Sequence, residues 1–219
     1  MKIIAIAMQK GGVGKSTLTR SLGVAATRAG LNTLILDMDA QQSTYQWSKR
    51  RKEPLPPVRF IGEPDLEDVL AKAKAAGCEL AIIDTPPARS SEAPAAIEAA
   101  DYVLIPCTPD IEAFEQLPRT VRLCRQTGKP CASVLTLATP NAKSEREAAE
   151  AVFQRLDIEA APQSLHRLKA HRDATRAGMT AEESEPASKA AAEVAALWDW
   201  VCAHLQFSKT AKPKNRKVA

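Results

Sequence analysis

The sequence has little of what would staple a chain together or anchor it in a membrane. Its five cysteines (Cys78, Cys107, Cys124, Cys131 and Cys202) are odd in number and include no C-x-x-C pair, which excludes a disulfide framework and a paired-thiol zinc motif. Apolar runs such as Ile3 to Met8 are short, and the most apolar late stretch is broken by Lys189, Glu193 and Asp199. Nothing approaches the ~20 apolar residues of a membrane-spanning helix. The chain opens on an apolar strand and not on a charged n-region with an h-region. These absences point to a reduced, cytoplasmic protein. Aromatic residues are scarce at 4%, and no internal repeat of fixed period is visible.

What is present is ordinary globular material: 219 residues, 45% hydrophobic and 26% charged, with 9 Gly and 15 Pro. A single domain of this size buries roughly 70% of the surface its unfolded chain exposes, so it needs no metal or disulfide for its core. The net charge of +4 is uneven. Lys209, Lys212, Lys214, Arg216 and Lys217 carry the positive excess with no acid among them. The expected organisation is one domain over 1–207 and a basic tail over 208–219. That tail reads either as a disordered, solvated terminus or as an electrostatic contact for nucleic acid or another anionic surface.

Short β-rich runs alternate with helix-period segments. Strands are expected near Ile3 to Ala7, Thr33 to Met38, Val58 to Ile61, Leu80 to Asp84, Tyr102 to Pro106, Ala132 to Leu137 and Ile158 to Ala161. Helices are expected over Ser16 to Ala29, Leu66 to Ala76, Ala113 to Gln126, Glu145 to Leu156 and about Ala187 to Gln206, with a further helix after Asp39 that ends near Lys49 to Lys52. Gly30 and Gly77 end helices, and Pro130 follows Gly128 after a third, as helix C-termini prefer. Strand–helix alternation implies right-handed crossovers, hence an α/β fold with a mainly parallel central sheet flanked by helices.

The strongest signal is Gln9-Lys10-Gly11-Gly12-Val13-Gly14-Lys15-Ser16-Thr17, directly after the first strand and opening a helix. Glycines let backbone N–H groups and a helix N-terminus face phosphates, Lys15 supplies a cation for the β/γ oxygens, and the Ser16 hydroxyl suits Mg²⁺. The strict phosphate-loop pattern wants Gly six positions before that lysine, where this chain has Gln9. Two acidic strand ends follow: Asp37 and Asp39 in Leu34-Ile35-Leu36-Asp37-Met38-Asp39, and Asp84 in Leu80-Ala81-Ile82-Ile83-Asp84-Thr85-Pro86-Pro87. Carboxylates at strand C-termini beside a triphosphate orient water or hold Mg²⁺ through water. An acidic pair at a strand end also serves simply to cap the next helix.

Lys-Gly-Gly-x-Gly-Lys-Ser/Thr, with a second lysine at Lys10, resembles the deviant phosphate loop of the ParA/MinD ATPases. The resemblance continues through Asp39-Ala40-Gln41, where Ala40 stands for the family's usual proline, through Asp84-Thr85-Pro86-Pro87, and through Tyr102 to Pro109. It covers Met1 to Leu137 well and the remainder weakly, and is nearest to small plasmid-type, ParF-like ParA proteins without a preceding helix-turn-helix. The resemblance implies ATP and Mg²⁺ as cofactors, with Lys10 to Thr17 as the ATP-binding segment. Lys10 would act in trans across an ATP-bound homodimer, Lys15 and Asp39 would serve catalysis with Asp39 positioning water, and Ser16, Asp37 and Asp84 would form the metal shell. It also implies slow ATP hydrolysis stimulated by a ParB-type centromere-binding partner, non-specific DNA binding, and a cytoplasmic, nucleoid-associated location.

Lys169, Arg172 and Arg176 fall at i, i+3 and i+7 of a helix-period stretch, and with Arg167 they form a basic stripe read as free of acid. Such a stripe suits DNA phosphates, with Lys189 behind it, or is a solvated face. The Lys49 to Lys52 run reads as a solvated helix end. His166 and His171 lack a third ligand and read as surface histidines; Trp198 reads as core packing of the last helix. Two other functions stay open. A MinD-like membrane-positioning ATPase would want bulky apolar residues in the tail, where only Val218 follows Phe207, so no membrane partner is expected. A metabolic or reductase relative would want a second substrate pocket or cluster cysteines.

Overall fold

The structure, a computed structural model, describes residues 1–87 and 91–206. The basic tail expected over 208–219 lies outside the described residues. Eight strands form the sheet: β1 Lys2–Ile6, β2 Thr33–Asp37, β3 Val58–Phe60, β4 Leu80–Asp84, β5 Tyr102–Cys107, β6 Cys131–Ala138, β7 Glu159–Ala160 and β8 Leu165–His166. Their order is β3-β2-β4-β1-β5-β6-β7, with β8 pairing the far end of β6, and all these described pairings are parallel. The helices are α1 Lys15–Arg28, α2 Ser43–Lys49, α3 Leu66–Ala75, α4 Glu92–Ala99, α5 Ile111–Gln126, α6 Lys143–Arg155, α7 Lys169–Arg176, α8 Ala181–Ser184 and α9 Lys189–Leu205. The fold is the expected α/β arrangement. The helical spacing of Lys169, Arg172 and Arg176 falls on α7, β8 just before it was not expected, and α4 carried too weak a pattern to be read in advance.

Strand periodicity divides the core into two layers. Ile4, Ile6, Leu80, Ile82 and Leu104 face α1 and α9, where they meet Leu18, Leu22, Leu197 and Trp198. The intervening residues Ala5, Ala81, Ile83, Val103 and Ile105 face the other way, against Leu70, Ile97, Leu117 and Phe153 of α3 to α6. Successive side chains on a strand point to opposite faces, so a sheet covered on both sides is apolar at every position. β4 is buried along its whole length for this reason. Trp198 is core, as expected, while Trp200 packs its ring edgewise against Tyr102. Cys78, Cys107, Cys124 and Cys202 are buried as small hydrophobes, and Cys131 is half-buried. Among the described residues no helix is long and apolar enough to cross a membrane.

A joint on the α2 side ties the middle of the chain to its late helices. Arg51, expected in a solvated run, instead has its side chain covered, at 4% exposure. It forms a two-pronged ion pair with Glu183 (2.7 and 2.9 Å) and donates to Gly178 O at 3.0 Å. Its guanidinium lies over the Trp47 ring, 4.5 Å from the centroid, and the Trp47 indole N–H donates to Met179 O. Gly178 adopts φ +69, and a Cβ there would meet the Arg50 carbonyl carbon at 2.5 Å, so only glycine lets the chains approach this closely. Fork geometry and planarity suit arginine to such a buried, bidentate, stacked site.

Candidate nucleotide site

The site lies beyond the carboxyl ends of the central strands, where open parallel sheets place ligands. In register, Asp84 of β4 sits between Ile6 of β1 and Asp37 of β2, so the phosphate loop and both acidic strand ends emerge side by side. The loop turns into α1 at Gly14, whose φ of +89 lies in the left-handed region that glycine adopts freely. The Val13 carbonyl accepts a 2.7 Å hydrogen bond from the Thr136 hydroxyl of β6, which pins the loop to the sheet. The first turn of α1 holds no acidic residue, leaving its N–H groups and positive dipole end open to an anion.

Gly11, Gly12, Gly14, Lys15, Ser16, Thr17 and Asp39 line one cavity of about 370 Å³, together with Arg20, Gln41, Ser43, Pro87 and Leu137. The structure thus brings together most of the expected site. Lys15 is nearly buried and its ammonium donates to the carbonyls of Met8 (3.1 Å) and Lys10 (3.0 Å). Burial lowers its pKa, opposed by the charges of Asp84 and Asp39. Asp39 accepts from the Gln41 N–H at 2.9 Å, which orders the turn leading to α2.

Asp84 is fully buried. The Thr44 hydroxyl donates to its Oδ2 at 2.6 Å, while its Oδ1 has no partner. Burial pushes this carboxyl up to about 6, with the Thr44 hydrogen bond acting in the opposite direction, Asp37 adding to the rise, and the nearby Ser16 hydroxyl and Arg20 drawing it down. An orphaned buried carboxylate oxygen beside a hydroxyl at the head of a phosphate-binding helix fits Mg²⁺, which takes one or two protein oxygens plus water and substrate phosphates. No cluster of three or more His, Cys, Asp or Glu able to cage a metal occurs among the described residues. Ser16 and Asp84 are the residues that would hold the ion.

Asp37 does not fit the metal shell expected of it. Its Oδ1 accepts from the Asp39 N–H (3.0 Å), and its Oδ2 accepts from the Thr44 (3.0 Å) and Tyr45 (2.8 Å) N–H groups. Those contacts make it the cap of the α2 N-terminus. Burial raises its pKa and the three backbone hydrogen bonds restrain the rise. Asp37 therefore holds the loop that carries Asp39, the role that the capping alternative gave it.

Lys10 is not among the residues that line this cavity. Its ammonium pairs with the Asp110 carboxylate at the head of α5 and lies 3.7 Å from Glu112. Asp110 also caps α5 through the Ala113 N–H at 2.9 Å. Burial alone would raise Asp110, but hydrogen bonds from Lys10, Thr108 and Ala113 hold it down at about 2.

The basic stripe is not remote from this site. Arg167, Lys169, Arg172 and Arg176 line a second cavity, of about 830 Å³, which Gly12, Gly14 and Thr17 of the phosphate loop also line. Nor is the stripe free of acid. Asp173, within α7, lies 3.4 Å from Lys169 and 3.8 Å from both Arg172 and Arg176. Helical spacing brings an acid four residues after Lys169 onto the same face, which reading only the basic positions overlooked. Lys189 stands 3.8 Å from Glu193, and the histidines are not plain surface residues. His166 pairs with buried Glu193 at 2.6 Å, and His171 has a buried, unpartnered Nε2. Sequence reasoning also missed Arg20, Thr44 and Asp110. Thr44, at a helix start, and Asp110, directly before α5, carried local signals of a helix N-terminus but none of their partners.

Comparison with known proteins agrees with this geometry. Residues 4–188 match the family model described as the CobQ/CobB/MinD/ParA nucleotide binding domain. Maintenance of carboxysome distribution protein A of Gloeobacter kilaueensis is 30% identical over 181 residues, covering 82% of this chain and 83% of that protein. Protein ParA of Rhizobium radiobacter is 29% identical over 111 residues, covering half of each. The septum site-determining protein MinD of Pyrococcus horikoshii, solved with Mg-ADP, superimposes with a TM-score of 0.79 at 19% identity, covering 95% of this chain and 98% of that one. The phosphate loop with its added lysine, set beside two buried acidic strand ends on this parallel sheet, belongs to a member of the CobQ/CobB/MinD/ParA nucleotide-binding family.

Proposed function

We propose that the protein is a Mg²⁺-dependent ATPase switch that positions DNA or another large cargo. ATP binding drives a sandwich dimer, the dimer binds DNA non-specifically, and hydrolysis stimulated by a ParB-type partner releases it. The observation that carries this reading is the placement of Lys10. A second lysine in the phosphate loop, not among the residues lining its cavity and paired with part-exposed Asp110, supports this reading, in which that cation would serve a facing subunit's phosphates. Lys15 would neutralise the β/γ oxygens, Ser16 and Asp84 would hold Mg²⁺, and Asp39 would orient the attacking water. The metal supplies charge neutralisation of the triphosphate when bound. On this reading the site is completed only in a dimer with its partner and unstimulated turnover is slow, since added groups of this kind bring about 10³ to 10⁵ in rate.

The basic wall of α7, partly neutralised by Asp173, supports charge-driven contact with phosphate backbones. The relative named for carboxysome distribution supports the coarser reading of a positioning ATPase and favours a protein body as a second class of cargo. A cytoplasmic, nucleoid-associated location follows from the DNA-binding form of the reading. The test is light scattering with size exclusion on Lys15→Ala, Asp39→Ala and the parent protein, each with ATP, ADP and no nucleotide. Dimers with ATP alone, accumulating in Asp39→Ala and absent in Lys15→Ala, support the switch; the same mass in every state contradicts it.

A further inference from the structure

Arg20 belongs to no phosphate-loop motif, yet it is the second buried cation of the site. It lies on α1 five positions after Lys15, and is 8% exposed. Its Nε donates to the Ser16 carbonyl at 2.8 Å, and its Nη2 lies 3.4 Å from the Thr17 hydroxyl. Its guanidinium stands over the Trp47 ring, 5.8 Å from the centroid, and it lines both the phosphate-loop cavity and the larger one beside α7.

Three physical requirements meet at this side chain. Asp37 and Asp84 are fully buried carboxylates, and such charges need a nearby cation. Lys15 donates to two loop carbonyls while its charge faces Asp84 and Asp39, and Arg20 is a further buried cation whose charge reaches Asp84 and Asp37. Arg20 holds the Ser16 backbone carbonyl and the Thr17 hydroxyl, and both residues line the phosphate-loop cavity, Ser16 being the one whose hydroxyl would meet Mg²⁺ in the reading above. A ligand that draws on the Thr17 hydroxyl therefore draws on Arg20. The ring beneath Arg20 belongs to α2, the helix that follows Asp39, and Trp47 also carries the Arg51 guanidinium that reaches Glu183 and Gly178.

We infer that Arg20 is a positioning residue of the nucleotide site, setting Ser16 and Thr17 for the metal–triphosphate and passing site occupancy through Trp47 to α2 and the α7–α8 segment. The inference rests on the nucleotide-site reading. Lysine is no equivalent here, because an ammonium cannot bridge two acceptors in a plane while lying over an indole.

The experiment measures anisotropy of N-methylanthraniloyl-ATP with Mg²⁺ and with EDTA, and tryptophan emission with ATP and Mg²⁺, in the full chain and in Arg20→Gln, Arg20→Lys and Trp47→Phe. The portion of the emission response that Trp47→Phe removes is assigned to Trp47. Arg20→Gln should weaken Mg²⁺-dependent nucleotide binding about tenfold, while Arg20→Lys recovers most of the affinity but less than half of the Trp47 response. Wild-type affinity in Arg20→Gln, or a full Trp47 response in Arg20→Lys, overturns the inference. If Arg20→Gln does not fold, Arg20→Lys alone decides: retained binding with a lost Trp47 response supports the role. A parent protein that binds no nucleotide overturns the nucleotide-site reading and this inference together, whereas normal binding in the parent with unaltered variants overturns the inference alone.

Discussion

The ammonium of Lys10 is bound within its own chain to the carboxylate of Asp110, the residue that caps α5. A lysine so paired must leave one charge partner to gain another. With Glu112 at 3.7 Å the competing acid is effectively doubled. Ile111 between these acids is largely exposed, at 67%, so the head of α5 presents an apolar side chain next to the tethered cation.

Asp110→Asn keeps an oxygen to cap α5 but removes the charge that holds Lys10. Dimers should then form at an ATP concentration several-fold lower than in the parent, as read by light scattering across an ATP titration. An unchanged or higher ATP requirement would show that the pair does not restrain Lys10.

Lys15→Ala removes the buried ammonium from the loop, leaving Asp84 and Asp39 without that cation. Calorimetric titration should detect no tight ATP binding, a loss of at least 100-fold, because hydrogen bonds between ionised groups are the strong ones in a phosphate site. Retained tight affinity would contradict the assignment of the loop.

Arg51→Met breaks the buried pair with Glu183 and leaves its carboxylate without a counter-charge. Removing one partner of a buried ion pair costs about 3–5 kcal/mol, so the urea midpoint should fall markedly, with little change in slope. Glu183 is held below the usual carboxylate range because Arg51 and Thr180 outweigh its burial. A midpoint within error of the parent would mean that the joint between α2 and α8 contributes little.

Glu182 is buried with neither carboxylate oxygen meeting a well-aligned donor, and burial pushes it from 4.5 up to about 7. A carboxyl raised in the folded state binds its proton more tightly there than in the unfolded chain. Its contribution to stability is therefore greatest below about 4.5, declines as pH rises toward about 7, and is level above that. Glu182→Gln should flatten this part of the profile and stabilise the protein at pH 8 by about 3 kcal/mol. Denaturation at pH 5 and pH 8 checks it; equal differences at both pH values would contradict the burial effect.

Asp173→Asn should strengthen DNA binding and steepen its salt dependence, because the acid sits within 4 Å of three of the stripe's cations. Arg172→Glu should weaken DNA binding about tenfold with ATP binding intact, since it reverses one phosphate contact. If neither variant alters DNA affinity, the stripe serves the neighbouring cavity or solvent.

Much of the site was legible because its chemistry is local. Lys15, Ser16 and Thr17 follow a strand within one short segment, and Asp37 and Asp84 end apolar runs whose parallel register sets them side by side, with Asp39 two residues on. Other features were not legible because they depend on contacts distant along the chain. The Lys10–Asp110 pair spans 100 residues and the Arg51–Glu183 pair 132, and no local pattern relates them. Asp37 illustrates a different ambiguity, since a strand-end carboxylate looks the same whether it faces a metal or the N–H groups of the next helix. Asp173 was visible in sequence, but its effect depends on how helical spacing folds it onto the basic face. β8 is two residues long and carries no pattern of its own.

The central claim is that nucleotide state controls DNA contact. The most direct measurement is anisotropy of a random-sequence duplex with the full chain in ATP, in ADP and without nucleotide, at two salt concentrations. The account predicts binding with ATP that is absent or much weaker in the other two states, and that falls as salt rises, because phosphate contacts release counterions. Equal binding in all three states, or none in any, would contradict it.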